Sequence, residues 1–125
     1  MVRISRQRLG QDAEQLAFCF LRDNGLRPIR RNFRCRHGEI DLIMLDDSCL
    51  VFVEVRYRSE TSFVTAMLTV DTRKQRKLSR AAAMFLAMNR RYGEHVCRFD
   101  IVGVNCGRDA VVSIDWMRDA FRPET

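Results

Sequence analysis

Lysine, histidine and proline are scarce in this chain. Among its 125 residues are two histidines and two prolines, and 20 of the 22 basic residues are arginine. No run of 18 apolar residues occurs, which argues against a membrane-spanning helix. The five cysteines lack CxxC spacing and are odd in number, so a structural zinc site or a full set of disulfides is not expected. With no secretory leader in view, we expect a cytoplasmic protein with reduced thiols.

What the chain does contain is enough apolar sequence for a core, together with an excess of positive charge. A hydrophobic content of 46% in 125 residues predicts one domain that covers residues 1–125. The net charge of +6 suits a polyanionic partner, since the planar guanidinium group of arginine can make bidentate contacts with phosphate. The alternative is a solvated basic surface, because many basic proteins bind nucleic acid only weakly.

The most informative segment is an apolar β-hairpin at residues 39–56 with a polar two-residue turn at Asp47 and Ser48. Pairing across this turn joins residues whose numbers sum to 95, so Asp41 should face Glu54. One face is wholly apolar. It comprises Ile40, Leu42, Met44, Val51, Val53 and Val55. The other face is apolar near the turn and carries Glu39, Asp41, Glu54 and Arg56 at its open end.

A sheet that is apolar on both faces is covered on both sides, so these acids should be partly buried. Two opposed carboxylates in such a place need a proton, a cationic partner or a metal ion. One interpretation is a structural ion network in which Arg56 and another arginine neutralise the acids. The other is a site for Mg²⁺ or Mn²⁺, held by Asp41, Glu54, a backbone carbonyl and water. Such an ion can activate water and bind phosphate oxygens.

The stretch Gly38 to Ile43, followed by Phe52 to Arg56, resembles the PD-(D/E)XK nuclease signature. Over nearly its full length the chain also resembles the YraN-type family of small, largely uncharacterised bacterial proteins. The matching positions are Gly10, Glu14, Gly38 to Ile43, Val53 to Val55, Lys74, Gln75 and Arg98 to Asp100. The resemblance implies a restriction-endonuclease-like core, similar to archaeal Holliday junction resolvases, with a role on nucleic acid. It also implies Glu14 as a further acid at the metal site and a homodimer, since two symmetric cuts need two sites.

The resemblance departs at Arg56, where the family has lysine. Lysine can lose its proton beside an attacking water, whereas arginine stays protonated and can only stabilise negative charge. The chain has just two lysines, Lys74 and Lys77, and both flank Gln75 on one predicted helix. We therefore hypothesise that Lys74 or Lys77 supplies the amine from another element.

The whole pattern predicts the α/β class: a restriction-endonuclease-like domain with a central mixed sheet of about five strands flanked by helices. The element order is helix, three strands, helix, two strands. A first helix should span about residues 8–24. The second should begin after a cap at Asp71 or Thr72 and end at Gly93. Further expectations are strands at 28–34, 97–104 and 110–114, a loop over the site at 57–63, a structural Arg98–Asp100 pair, and a terminal helix with Trp116, Met117 and Phe121.

These features together predict a nucleic-acid-binding protein that is a divalent-metal-dependent phosphodiesterase. The substrate would be DNA in preference to RNA, including branched or structured DNA. The expected site residues are Asp41 and Glu54 as metal ligands with Glu14 and Glu39 assisting, Arg56 as stabiliser of phosphate charge, and Gln75 to orient water or backbone. The expected nucleic-acid contacts are Arg31, Arg34, Arg36, Arg58, Arg73, Lys74 and Lys77. The alternatives are a non-catalytic nucleic-acid-binding module with a degenerate site, and an adaptor whose acids only form ion pairs.

Overall fold

A computed structural model of the protein describes residues 6–59, 69–107, 109 and 111–122. Within them lie two α-helices and five strands. The helices are α1 (Arg6–Asp23) and α2 (Thr72–Met88), and a short 3-10 turn follows at Arg90–Tyr92. The strands are β1 (Arg27–Cys35), β2 (Gly38–Asp46), β3 (Cys49–Ser59), β4 (Val96–Cys106) and β5 (Val112–Phe121). Neither of these helices is long and apolar enough to cross a membrane.

The strands form one mixed sheet in the order β1-β2-β3-β4-β5. All neighbours are antiparallel except β3 and β4, which are parallel. Parallel neighbours need a crossover connection, and α2 lies in the segment that joins β3 to β4. The predicted α/β class, the element order and the mixed five-stranded sheet are therefore confirmed.

The central hairpin pairs in the predicted register, with Leu42 opposite Val53 and Ile43 opposite Phe52. Both faces are covered, as its apolar pattern predicted. One face packs with α1 in a cluster that includes Leu42, Met44, Val51 and Val53. The other packs with α2 in a cluster that includes Ile43, Leu45, Leu50 and Phe52. The hairpin thus lies between α1 on one face and α2 on the other, and its open end lies at the edge of these two helix layers.

One residue of the hairpin breaks the predicted alternation. Ile40 lies opposite Phe33 of β1 and belongs to the α2 side, not to the face of Leu42. The change of face occurs at Asp41, next to a stretch of β1 where Asn32 has a left-handed backbone with φ 52°. A period-2 pattern in β2 alone carries no information about such an irregularity in the neighbouring strand.

The predicted terminal helix is wrong, because its residues form the edge strand β5. Trp116 pairs with Val102 of β4 and Met117 pairs with Ile101. The register shifts beyond Met117, and Asp119 there has a positive φ of 50°. Along β5, Val112, Ile114 and Trp116 pack on the α1 side of the sheet, whereas Met117, Ala120 and Phe121 pack on the α2 side. Trp116 and Met117 are therefore adjacent apolar residues on opposite faces, which hides the alternation by which a strand is recognised.

Two of the predicted boundaries discussed above also change. Helix α2 ends at Met88 with Asn89 as its cap, not at Gly93. Strand β3 continues to Ser59, where it pairs with β4, so residues 57–59 are not a loop. The rest of the predicted loop, residues 60–63, and the predicted start of the last strand, residue 110, lie outside the described residues.

Candidate functional site

The two acids predicted to face each other do meet. Asp41 and Glu54 lie one position beyond the Leu42–Val53 pair, toward the open end of the hairpin. Their carboxyl groups are close enough to form a hydrogen bond once one of them is protonated, and Asp41 Oδ2 accepts a bond of 2.8 Å from the backbone N–H of Val55. The side chain of Glu54 is only 5% exposed. A carboxyl-to-carboxyl hydrogen bond needs one proton between the two groups, because an ionised carboxylate has no donor.

The electrostatics of this pair agree with a shared proton. Burial, with the charge of Asp41 added to it, raises the pKa of Glu54 to about 7, and Lys74 and Arg56 only partly oppose this rise. Burial also raises the pKa of Asp41, although the Val55 N–H favours its charged form. The pair therefore holds a proton up to near-neutral pH, where an ordinary carboxyl group has lost it.

Two cations from different elements approach the same oxygen of Glu54. Arg56 Nε lies 3.3 Å from Glu54 Oε2, and Lys74 Nζ lies 3.5 Å from it. Arg56 Nη2 donates to the carbonyl of Thr69 at 3.2 Å, which ties β3 to the segment before α2. Arg56 Nε is buried and has no well-directed hydrogen bond within the described part of the chain. The contact between Arg56 Nε and Glu54 Oε2 is thus short enough for an ion pair but does not have the geometry of a hydrogen bond.

Lys74 owes its position to the way in which α2 begins. The Asp71 side chain caps the helix by accepting a 2.8 Å bond from the backbone N–H of Lys74. Gln75 Nε2 donates to the carbonyl of Val70 at 3.0 Å, so its amide holds backbone at the helix start. Of the two hypothesised lysines, Lys74 is the one that reaches the acids, whereas Lys77 lies beside the β1–β2 turn.

A second pair of acids, Glu14 on α1 and Glu39 on β2, flanks Asp41. The amide nitrogen of Asn32, oriented by its hydrogen-bond partners, donates to Glu14 Oε1 at 2.8 Å and to Glu39 Oε1 at 2.9 Å. Arg34 Nε lies 3.5 Å from the same oxygen of Glu39. Burial raises the pKa of Glu14, and the nearby charges of Asp41 and Glu39 raise it further. Glu14 is therefore part of the same negative region as the hairpin acids.

Asn32 is the residue that sequence reasoning missed. The available signal was an asparagine within a predicted strand, because asparagine tolerates the left-handed conformation better than other non-glycine residues. In the structure that conformation turns the Asn32 amide toward Glu14 and Glu39. A neutral side chain thereby joins two acids without adding positive charge to the site.

The predicted nucleic-acid contacts fall into two groups. Arg31 is engaged with α1: its Nη1 donates to Gln15 Oε1 at 2.8 Å, and its guanidinium lies 4.5 Å from the ring centroid of Phe18. The second group presents its side chains at least partly to solvent, near the acids or on the first half of α2. It comprises Arg34, Arg36, Arg58, Arg73, Lys74 and Lys77.

The donor set at the site bears on which ion could bind there. Within the described residues, no group of three or more His, Cys, Asp or Glu side chains is arranged to hold a metal ion. Two carboxylates, Asp41 and Glu54, remain as a pair that faces each other across the hairpin. This set fits Mg²⁺ or Mn²⁺, because such ions commonly use one or two carboxylates and keep water in their other positions. A ligand role for Glu14 stays a prediction.

The model of the uncharacterised protein family UPF0102 matches residues 13–104, which include Glu14, Asp41, Glu54 and Lys74. The chain belongs to the UPF0102 family. The resemblance to the YraN-type family is thereby confirmed.

Similar UPF0102 proteins occur in several bacteria. The one from Stutzerimonas stutzeri is 48% identical over 92% of this chain and 95% of its own length. Those from Pseudomonas fluorescens and Alcanivorax borkumensis are each 43% identical, over 97% and 96% of this chain and 98% and 96% of their own lengths. The similarity thus covers nearly the whole length of this chain and of each relative.

Proposed function

We propose that the protein is a divalent-metal-dependent phosphodiesterase that acts on nucleic acid, with DNA as the favoured substrate. The observation that carries the proposal is the Asp41–Glu54 pair, in which buried Glu54 lies 3.5 Å from the ammonium group of Lys74 and burial raises the pKa of both acids. Two acids buried against each other reduce stability, and an apolar pair at the same place would avoid that cost. A perturbed pair of this kind is typical of a site that takes a ligand.

Asp41 and Glu54 would hold Mg²⁺ or Mn²⁺, with Glu14 and Glu39 adding negative charge around them. The cation would take the place of the proton that the two acids share, because both oxygens must be deprotonated to bind it. When bound, such an ion supplies activation of water and neutralisation of phosphate charge. Asn32 would keep Glu14 and Glu39 directed at this region.

The cations beside the acids would act on the substrate. Lys74 would contact a phosphate oxygen from α2, in the role that the family's lysine has on the strand. Arg56, held by the Thr69 carbonyl, would stabilise charge that develops on phosphate. Gln75 would act as a positioning residue, since its amide holds the backbone at the start of α2.

Cleavage assays test this proposal directly. Labelled duplex, single-stranded and four-way branched DNA would be incubated with Mn²⁺, Mg²⁺ or EDTA. We expect metal-dependent cleavage that falls by more than about 100-fold in Asp41→Asn and Glu54→Gln. The matched control is Glu94→Gln, which removes an exposed acid from the turn before β4 and should retain wild-type cleavage. Absence of cleavage by the wild type, or full activity in Asp41→Asn, would refute the proposal. Sedimentation of the wild type would show whether the two-fold dimer needed for paired cuts forms.

A non-catalytic nucleic-acid-binding module is the second candidate, and Arg56 is the observation that favours it. Arginine cannot replace lysine as a base. If the site is degenerate, Arg56→Lys should create or greatly raise cleavage. If Lys74 already supplies the amine, Arg56→Lys should change the rate only a few-fold, and Lys74→Ala should abolish cleavage. The two variants therefore separate the two functions.

A further inference from the structure

The exposed side of α2 carries a row of cations. Arg73, Arg76, Lys77 and Arg80 follow the spacing i, i+3, i+4 and i+7, which puts them on one face of the helix. All four are exposed, while the face toward the sheet contains the buried residues Leu78, Ala81, Ala82 and Phe85. We call these four cations the α2 basic stripe. With a rise of about 1.5 Å per residue, the stripe is about 10 Å long.

The fold itself does not compensate the charge of this stripe. Helix α2 contains five Lys or Arg residues and no Asp or Glu. Within the described part of the chain, no ion pair or side-chain hydrogen bond engages a stripe residue, whereas Arg31 and Arg98 each have partners. Like charges at these spacings destabilise a helix, and cations in its first turns oppose the macrodipole. The arrangement therefore reduces folding stability unless an anion binds to it.

The stripe begins next to the acid pair. Lys74 follows Arg73 directly but is turned toward the sheet, where its Nζ lies 3.5 Å from Glu54 Oε2. Lys77 packs beside the β1–β2 turn: a Cβ built on Gly38 would lie 3.9 Å from Lys77 Cβ. The exposed Arg36 belongs to the same turn. The cations of this turn, of the stripe and of Lys74 are thus neighbours, and the acid beside them is Asp71, whose side chain caps α2.

We propose that the α2 basic stripe binds the sugar–phosphate backbone of a nucleic acid and directs one strand past Lys74 to the Asp41–Glu54 pair. This inference rests on the proposed function, because it places the substrate relative to that site. Duplex DNA carries one phosphate charge per about 1.7 Å of axis, so a 10 Å stripe spans about six. Backbone contacts of this kind are independent of base sequence.

The test compares two variants that lower the net charge equally, from +6 to +2. In the first, all four stripe residues become Gln (Arg73→Gln, Arg76→Gln, Lys77→Gln, Arg80→Gln). In the control, four exposed arginines at the opposite end of the sheet become Gln (Arg27→Gln, Arg90→Gln, Arg91→Gln, Arg122→Gln). Fluorescence anisotropy would measure the binding of labelled duplex and single-stranded DNA of several sequences, in EDTA, between about 50 and 200 mM salt.

We expect the stripe variant to bind at least about 100-fold more weakly than the wild type near 100 mM salt. The slope of log K against log salt concentration should fall by about 3 to 4 on duplex, since each phosphate contact contributes about 0.9, and by somewhat less on a single strand. The control should change the slope by less than about 1. Stronger stripe-dependent binding to one of the two DNA forms would identify the form that occupies the stripe.

Equal losses in the two variants would overturn the proposal, because net charge alone would then explain the binding. Failure of the wild type to bind either DNA would overturn it as well. Stripe-dependent binding without metal-dependent cleavage would support DNA binding by the stripe and refute the proposed phosphodiesterase activity. Cleavage that needs Asp41 but is unchanged in the stripe variant would refute the stripe alone. Thermal unfolding supplies the structural check: the stripe variant should unfold at or above the wild-type temperature, and a marked fall would contradict the premise.

Discussion

Two clusters of buried charge lie on neighbouring strands of the sheet and are assembled differently. On β4, Asp100 is fully buried and accepts four hydrogen bonds, two from Arg98, one from Trp116 Nε1 and one from the backbone N–H of Asp119. Arg98 also contacts Asp46 at 2.9 Å. Burial acts to lower the pKa of Arg98, but its bonds to Asp100 and Asp46 raise it overall. This is the structural pair that the sequence predicted.

On β2 and β3, Asp41 and Glu54 face each other, and the two cations nearby contact only Glu54 by ion pairs. Their pKa values rise, which means that the fold favours a proton on the pair. The difference lies in how the buried charge is compensated. The Asp100 cluster is complete within the fold, whereas the Asp41–Glu54 pair is completed by a proton or, in our proposal, by a metal ion.

Removing the acid at the centre of the complete cluster should have the largest effect. Asp100→Ala leaves Arg98 partly buried with only Asp46 as a charge partner, and it also removes the acceptor of Trp116. We expect the free energy of unfolding to fall by about 3 to 5 kcal/mol, as measured by urea denaturation. Asp46→Asn, at the rim of the same cluster, should cost less. If Asp100→Ala lowered the free energy of unfolding by less than Asp46→Asn does, Asp100 would not be the centre of the cluster.

Removing the carboxyl group of Glu54, the acid at the centre of the incomplete cluster, should raise the free energy of unfolding at high pH. Glu54 has its ordinary pKa of 4.5 when unfolded and about 7 when folded. Its favourable contribution to stability is therefore complete below pH 4.5 and is lost as the pH rises to about 7. Glu54→Gln cannot ionise, so it should equal the wild type in stability at acid pH and exceed it by up to about 3 kcal/mol at alkaline pH. Urea denaturation across this range checks the sign; a variant less stable than the wild type at alkaline pH would contradict it.

Metal binding should also distinguish the two clusters, with the next largest effect. Calorimetric titration with Mn²⁺ should show one saturable site that disappears in Asp41→Asn and persists in Asp46→Asn. Because the cation competes with the shared proton, its affinity should rise with pH, by up to about tenfold per unit, until the Glu54 pKa of about 7 is passed. Binding that is independent of pH, or that survives in Asp41→Asn, would show that the acid pair is not the site.

The smallest effect should come from Asn32. Asn32→Gly keeps the left-handed backbone but removes the amide that donates to Glu14 and Glu39. We expect Mn²⁺ affinity to fall about tenfold, as for other groups that orient ligands, and the free energy of unfolding to fall by about 1 kcal/mol. Asn32→Ala, which lacks the amide and also disfavours the left-handed backbone, is the variant to compare with Asn32→Gly. Unchanged Mn²⁺ affinity in Asn32→Gly would separate Glu14 and Glu39 from the metal site.

The hairpin illustrates how far sequence reasoning reaches. A two-residue turn and an apolar alternation predicted the pairing of Leu42 with Val53, and the adjacent Asp41–Glu54 contact followed from it. Strand β5 shows where such reasoning fails. Its neighbouring apolar residues Trp116 and Met117 pack on opposite faces of the sheet, so its apolar residues do not alternate and a period-based interpretation assigns a helix.

The sequence by itself determined the element order, the register of the hairpin and the opposition of Asp41 and Glu54, because periodicity and turn length are properties of neighbours along the chain. Only the tertiary structure decided that Lys74, and not Lys77, reaches the acids, and that Asn32 links Glu14 to Glu39. Those contacts join α1, α2 and two strands that are distant in sequence. The proton on the acid pair likewise depends on burial, which exists only after both helices cover the sheet.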